Sequence, residues 1–359
     1  MDALRAGAMI GVVFLHASIS YMTIRIPDLA WHIQEASAVP FFDGFFLFIQ
    51  GFVMPLFFIL SGFFSEHVTQ SVGPSGFLAN RKKKILFPFL WGCLLLLPVI
   101  YFIWSYGWLM SGQCEFREIV RVNFSSPFLK KNLYGPAHLW YLEYLLIYSG
   151  IFFLWRTRRS LVAVPAFLFV PATALILFFG PSAMFNFKNS FVPEPMRLLH
   201  YAVFFYFGAW FYAFGQKSDR WVRLAPLCLV LSLVAFLVEM SCFLQEQPIV
   251  AGSIGSAGLA VSTAFFTWFF IVGCLGLSIK FFNRPMKPIR YLSDASYWVY
   301  LIHLPLVGLA QAVLFQFHLS SVLKFLIVAV AAMVFSLSSY PIFVRGWGRV
   351  GFFKRKAVL

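Results

Sequence analysis

The sequence predicts an all-α integral membrane protein with about ten transmembrane helices and both termini on the cytoplasmic side. Three observations predict it. Only 11% of the 359 residues are charged and 61% are hydrophobic, against roughly 25% and 45–50% in ordinary soluble domains. The 47 Phe, 14 Tyr and 11 Trp fall inside long apolar runs, where a soluble chain has no room for them. The basic residues, 28 Lys and Arg against 13 Asp and Glu, sit in short stretches between those runs.

A hydrocarbon core about 30 Å thick needs roughly 20 apolar residues in helix. In chain order the candidate spans are 6–24, 41–65, 85–103, 138–155, 161–179, 198–214, 224–244, 256–279, 295–315 and 321–343. The first begins too close to Met1, and runs too long without a small-residue cleavage site, to read as a removed signal peptide. With no repeat visible, residues 1–359 read as a single transmembrane domain.

Assigning the connections alternately to two sides sorts the cations. One side takes Arg5, then Arg81 with Lys82, Lys83 and Lys84, then Arg156, Arg158 and Arg159. Lys217, Arg220, Arg223, Lys280, Arg284, Lys287 and Arg290 follow, and finally Arg345, Arg349, Lys354, Arg355 and Lys356. Most of the 28 cations therefore share the side of the termini, which the positive-inside rule makes the cytoplasm. The net charge of +15 is then mainly an orientation signal, and nucleic acid is not an expected partner.

Cys93, Cys114, Cys228, Cys242 and Cys274 form no CxxC pair and read as small packing residues, so no metal site is expected. Of the two largest outer loops, 104–137 and 180–197, the first carries Trp104, Tyr106, Trp108, Glu115 and Glu118. Such residues suit an interfacial aromatic belt or a sugar-binding surface.

Ionisable side chains inside the hydrocarbon are costly and mark candidate functional sites. His16 lies in the first span, Glu143 in the fourth, Glu239 in the seventh and His303 in the ninth, while Asp43, His138 and Asp294 mark span ends. Arg5 and His16 are eleven positions apart, three turns plus about 20° of an α-helix, and so project from one face roughly 16 Å apart along the axis. A neutral imidazole near mid-membrane is a good general base, and a basic mouth below it suits an anionic cosubstrate. The alternative makes Arg5 a topology anchor and His16 a hydrogen-bonded packing residue. The cluster Arg81 to Lys84 opens a helix against its dipole, which suits topology, anionic headgroups or phosphate binding.

These residues carry a resemblance. DALRAGAMIGVVFLHAS, with Arg5 and His16 separated by ten residues, is similar to the first helix of the membrane acyltransferase-3 family. FFILSGFF (57–64), the run from Arg81 to Pro88, HLWYL (138–142) and SYWVYLIHLPL (296–306) resemble four further family elements in order. In style the chain is closest to glucan succinyltransferase-like and O-antigen O-acetyltransferase members.

The resemblance implies transfer of an acyl group, acetyl or succinyl, from cytoplasmic acyl-CoA to a hydroxyl of an envelope carbohydrate at the bacterial inner membrane. It makes His16 the catalytic histidine and Arg5 and Arg81 the residues at the acyl-CoA mouth. Lys84 stands at the second Arg position of the family's Arg-x-x-Arg element, keeping the charge but losing the bidentate fork. His303, Tyr300 and Glu143 are the candidates for the acceptor. No tightly bound cofactor is expected beyond the acyl-CoA cosubstrate.

Ser18, Ser61, Tyr300 or His303 can supply an oxyanion donor, and direct transfer and a His-bound acyl intermediate both remain open. The rival class is a secondary transporter or exporter of a glycan or small anionic solute. It is disfavoured because equivalent halves lack paired Gly/Pro-interrupted segments.

Overall fold

The computed structural model describes residues 1–26, 29–116, 119, 132–180, 189–216, 219–245, 253–284 and 286–345. Glu118, Lys217, Arg349, Lys354, Arg355 and Lys356 lie outside them. Among the described residues every regular element is helical. The α-helices are α1 (Asp2–Ser18), α2 (Phe41–Arg81), α3 (Phe87–Trp91), α4 (Leu97–Met110), α5 (Trp140–Arg156) and α6 (Phe169–Phe179). The second half adds α7 (Pro195–Trp210), α8 (Arg220–Gln245), α9 (Ile254–Phe281), α10 (Lys287–Phe315) and α11 (Ser321–Tyr340). One-turn π-helices, Lys82–Leu86 and Gly92–Leu96, link α2, α3 and α4.

Among the described residues eight helical stretches are long and apolar enough to cross a membrane, and large apolar side chains such as Leu94, Phe102, Leu227, Val230 and Val334 remain on the outside, where lipid covers them. One stretch, Phe41–Met110, holds the two expected spans 41–65 and 85–103. It cannot be a straight rod. Gly73 has φ +74° and ψ 170°, a left-handed conformation that glycine adopts without a Cβ penalty, and Pro74 follows without an N–H. Beyond this bend Arg81 returns to the Phe64 carbonyl, and Gly107 packs against His32 near the start of α2. The expected span 161–179 is a shorter helix, Ala166–Phe179. Pro165 disfavours helical backbone at Val164, so residues 161–165 stay outside it.

Without a hydrophobic drive between helices inside lipid, close packing and inter-helix hydrogen bonds hold the bundle. Glycines allow the closest crossing, between α2 and α7. A Cβ on Gly62 would lie 1.9 Å from the Phe205 carbonyl oxygen, and one on Gly208 would lie 1.9 Å from that of Ile59.

Prolines supply the second device. A proline inside a helix removes the N–H that would bond the carbonyl four residues earlier, and three such carbonyls here receive donors from other segments. Pro55 frees the Gly51 carbonyl for Thr267 Oγ1 at 2.7 Å. Pro341, following α11, frees that of Leu337 for the Tyr291 hydroxyl at 2.8 Å. Pro305 frees that of Leu301 for His138 Nε2 at 3.0 Å. The last of these builds part of the site.

Candidate active site

His16 sits two residues before the end of α1, which packs against α2, α10 and α11. His303, fully buried on α10, faces it with Nε2 3.0 Å from His16 Nδ1. The neighbours fix both tautomers. His303 Nδ1 lies 2.7 Å from the Tyr300 carbonyl oxygen and 3.1 Å from that of Val299; both are acceptors, so Nδ1 carries the proton and Nε2 a lone pair. His16 Nδ1 has two acceptors in turn, His303 Nε2 and the Val12 carbonyl oxygen at 3.0 Å, so it is the donor. The lone pair of His16 is therefore on Nε2. A proton gained there puts positive charge on the ring, and the bond to His303 becomes charge-assisted.

A third imidazole completes the cluster. His138 lies edge-on to His303, with ring centroids 5.3 Å apart. Its Nε2 donates to the carbonyl freed by Pro305, and its backbone carbonyl accepts from the Tyr300 hydroxyl at 2.6 Å. The preceding Ala137 has φ +46°, uncommon for a residue with a Cβ. Its N–H donates to Asn189 Oδ1 at 3.0 Å. In the sequence His138 marks a span end and opens the HLWYL element, with no role of its own assigned. The two motifs HLWYL and LIHLP carry the signal together, because Pro305 of one frees the Leu301 carbonyl that accepts from the histidine of the other.

The connection between α1 and α2 returns over His16. Trp31 stacks on the His16 ring, with centroids 6.0 Å apart and planes 12° from parallel. Its Nε1 donates to Ser20 Oγ and Gln311 Oε1, both at 3.0 Å, and Gln311 Nε2 donates to the Ala17 carbonyl at 3.1 Å. His32 is 3.0 Å through Nε2 from the Gly308 carbonyl oxygen, and burial lowers its pKa to about 3. Glu35 pairs with Lys324 of α11 at 2.7 Å. These anchors hold the strap down. Helical periodicity carries no information about them, since Trp31, His32 and Glu35 are not in a helix.

At the other end of α1, Arg5 and Arg81 converge on Phe64. The Arg5 guanidinium carbon is 4.5 Å from the Phe64 ring centroid, and Arg81 Nη2 is 3.4 Å from the Phe64 carbonyl oxygen. Arg5 also donates to Ser293 Oγ at 3.2 Å, and Ser293 donates to Asp2. Arg81 lies over the Phe77 ring, and its Nε is buried without a hydrogen-bond partner. Lys84, one turn further, is exposed.

A cavity of about 120 Å³ reaches His16 and His138, away from the cationic end. It is lined by aromatic side chains, including Trp31, Trp104, Trp140 and Tyr144, and by the polar groups of Asn132, Asn189 and Arg197. Aromatic walls with a few placed polar groups are typical of a small-molecule site. Trp104 thus faces the cavity, whereas Trp108 is buried, donates Nε1 to the Ala30 carbonyl, and lies outside the lining. His303, Tyr300 and Glu143 are not in the lining either. The Tyr300 hydroxyl is committed to His138, and Glu143 is half-buried with Oε2 unpartnered. Ser18 Oγ donates to the Leu15 carbonyl, and Ser61 Oγ pairs with the Tyr141 hydroxyl at 2.6 Å. Among the described residues no group of three or more His, Cys, Asp or Glu is arranged to hold a metal ion.

Residues 1–340 match the acyltransferase-3 family, described as an acyltransferase domain. The chain belongs to this family, and the protein is a membrane-embedded acyltransferase. It is similar to the glucans biosynthesis protein C of Salmonella paratyphi B and of Salmonella enteritidis PT4, each 23% identical over 96% of this chain and 91% of the relative. The same-named protein of Salmonella schwarzengrund is also 23% identical, with the same coverage. No solved structure matches.

Proposed function

We propose that the protein transfers an acyl group, acetyl or succinyl, from cytoplasmic acyl-CoA to a hydroxyl of an envelope carbohydrate at the bacterial inner membrane, with both termini in the cytoplasm. The observation that carries this reading is the position of His16. Its free Nε2 lone pair is held between the Arg5 and Arg81 end of the bundle and an aromatic, polar cavity at the other. The relatives' printed name makes a glucan the first acceptor to test, with O-antigen the second.

Arg5, Arg81 and the exposed Lys84 bind the nucleotide phosphates, and the thioester reaches His16 along α1. His16 Nε2 takes the proton of the acceptor hydroxyl as its oxygen attacks the thioester carbonyl. The C–S bond then breaks, and the departing thiolate takes the proton from His16. His303 shares with the Val12 carbonyl the holding of His16 in the Nε2-basic tautomer and itself stabilises the imidazolium, while Tyr300 sets the backbone of His138. Both act through other residues, without touching the acceptor.

The test is purified protein with acetyl-CoA or succinyl-CoA labelled in the acyl group, and envelope glycan from cells lacking the gene. Label entering the glycan, with one free CoA per acyl group, is the expected result. Glycan crossing the membrane of proteoliposomes with no thioester consumed would replace this reading with the transporter one.

A further inference from the structure

We propose that His138 Nδ1 is the docking point for a second hydroxyl of the acceptor, beside the one that His16 deprotonates. The enzyme then selects polyols that carry a free hydroxyl next to the acylated position. This rests on the acyl-transfer reading above.

Three contacts hold this residue in place. Ala137 N–H is bonded to Asn189, the His138 carbonyl accepts from Tyr300, and His138 Nε2 is bonded to the Leu301 carbonyl. Because a carbonyl only accepts, Nε2 carries the proton and Nδ1 is left as a lone pair. That Nδ1 is buried and has no hydrogen-bond partner, although His138 lines the same cavity as His16. A buried acceptor left unsatisfied is costly, and native proteins seldom leave one so where a polar cavity adjoins it. A hydroxyl donor satisfies it. A thioester has no donor at its carbonyl or sulfur, and the cavity that His138 lines lies away from the Arg5 and Arg81 end from which the pantetheine amides would approach, so the group that fits belongs to the acceptor. His303 packs against both imidazoles, 5.0 Å from His16 and 5.3 Å from His138 by ring centroids, while His16 and His138 both line the cavity. One sugar ring has hydroxyls on neighbouring carbons to meet both.

Two substitutions separate the ring nitrogens. His138→Gln places a donor near Nε2, keeping the Leu301 bond and removing the Nδ1 acceptor. His138→Asn places an oxygen near Nδ1 and gives up the Leu301 bond. Acyl transfer to a titrated envelope glycan extract is compared with acetyl-CoA hydrolysis to water, and with the melting temperature in detergent.

In His138→Gln the glycan concentration for half-maximal transfer rises about tenfold, the worth of one hydrogen bond of ordinary strength, with hydrolysis and melting unchanged. In His138→Asn glycan use is retained and the melting temperature falls. The opposite pattern, with glycan use normal in His138→Gln and impaired in His138→Asn, makes His138 a structural residue and overturns the proposal. Should His138→Gln not fold, wild-type protein is given extract mildly oxidised with periodate, which destroys vicinal diols. Undiminished transfer to the oxidised extract overturns the proposal equally. Absence of transfer by wild-type protein to untreated extract refutes the acyl-transfer reading itself, a separate outcome.

Discussion

Replacing His303 with leucine removes the Nε2 acceptor, the Nδ1 donor to the Tyr300 and Val299 carbonyls and little volume, and the structure sets the size of the effect on His16. The bond lost to His16 is its Nδ1–H to His303 Nε2, 3.0 Å long. The Val12 carbonyl still accepts from the same N–H at 3.0 Å, so the His16 tautomer survives and the loss is confined to stabilising the imidazolium. A neutral hydrogen bond contributes about 1 kcal/mol and one to a charged group about 1.5–3. The difference between ground state and transition state is therefore about 1–2 kcal/mol, or roughly 5–30-fold in kcat. His303→Gln retains an acceptor oxygen and should stay within about threefold of wild type, less than the loss of a full hydrogen bond. The assay is steady-state transfer of labelled acyl groups to glycan, with acyl-CoA affinity measured separately. An unchanged kcat in His303→Leu would refute the positioning role. A rise confined to the KM for glycan would show instead that His303 contacts the acceptor.

Three further outcomes are expected. Arg81→Ala should weaken acyl-CoA binding about tenfold, the value of a charge-assisted contact to phosphate; an unchanged Kd by calorimetry would make Arg81 a topology anchor. Gly62→Ala should abolish the folded protein on detergent gel filtration, because its Cβ would overlap the Phe205 carbonyl at 1.9 Å, and a wild-type melting curve would contradict the close crossing. His32 stays neutral to about pH 3 in the fold, while in the unfolded chain it gains a proton below about 6.5. Stability should therefore fall as pH drops below that value, by about 1.4 kcal/mol per unit from this group. His32→Gln should flatten this acid limb, and an unaltered limb would show that other groups set it.

The Arg5 and His16 stripe was legible because eleven residues close three helical turns, and mean composition was enough to place the chain in a bilayer. Its partner His303 stood out as an intramembrane histidine, but its role depends on the rotation of α10 against α1, which no single-helix pattern specifies. The strap carrying Trp31 and His32 was illegible for another reason. Its residues are held by side chains hundreds of positions away, such as Gln311 and Lys324, and follow no helical period. The reversal at Gly73 leaves a clear Gly-Pro signal between two spans, whereas the span 161–179 is longer than α6 because apolar residues run on both sides of Pro165, which keeps the residues before it out of the helix on steric grounds.

The central claim is that His16 Nε2 is the base serving both ends of the bundle. His16→Gln, which keeps polarity and size but cannot take up a proton, tests it most directly in a single-turnover experiment with labelled acyl-CoA bound in advance and glycan added. Acyl-CoA should bind at wild-type affinity while transfer slows by about 10²–10⁴, the usual contribution of a general base. Transfer at the wild-type rate by this folded variant would contradict it.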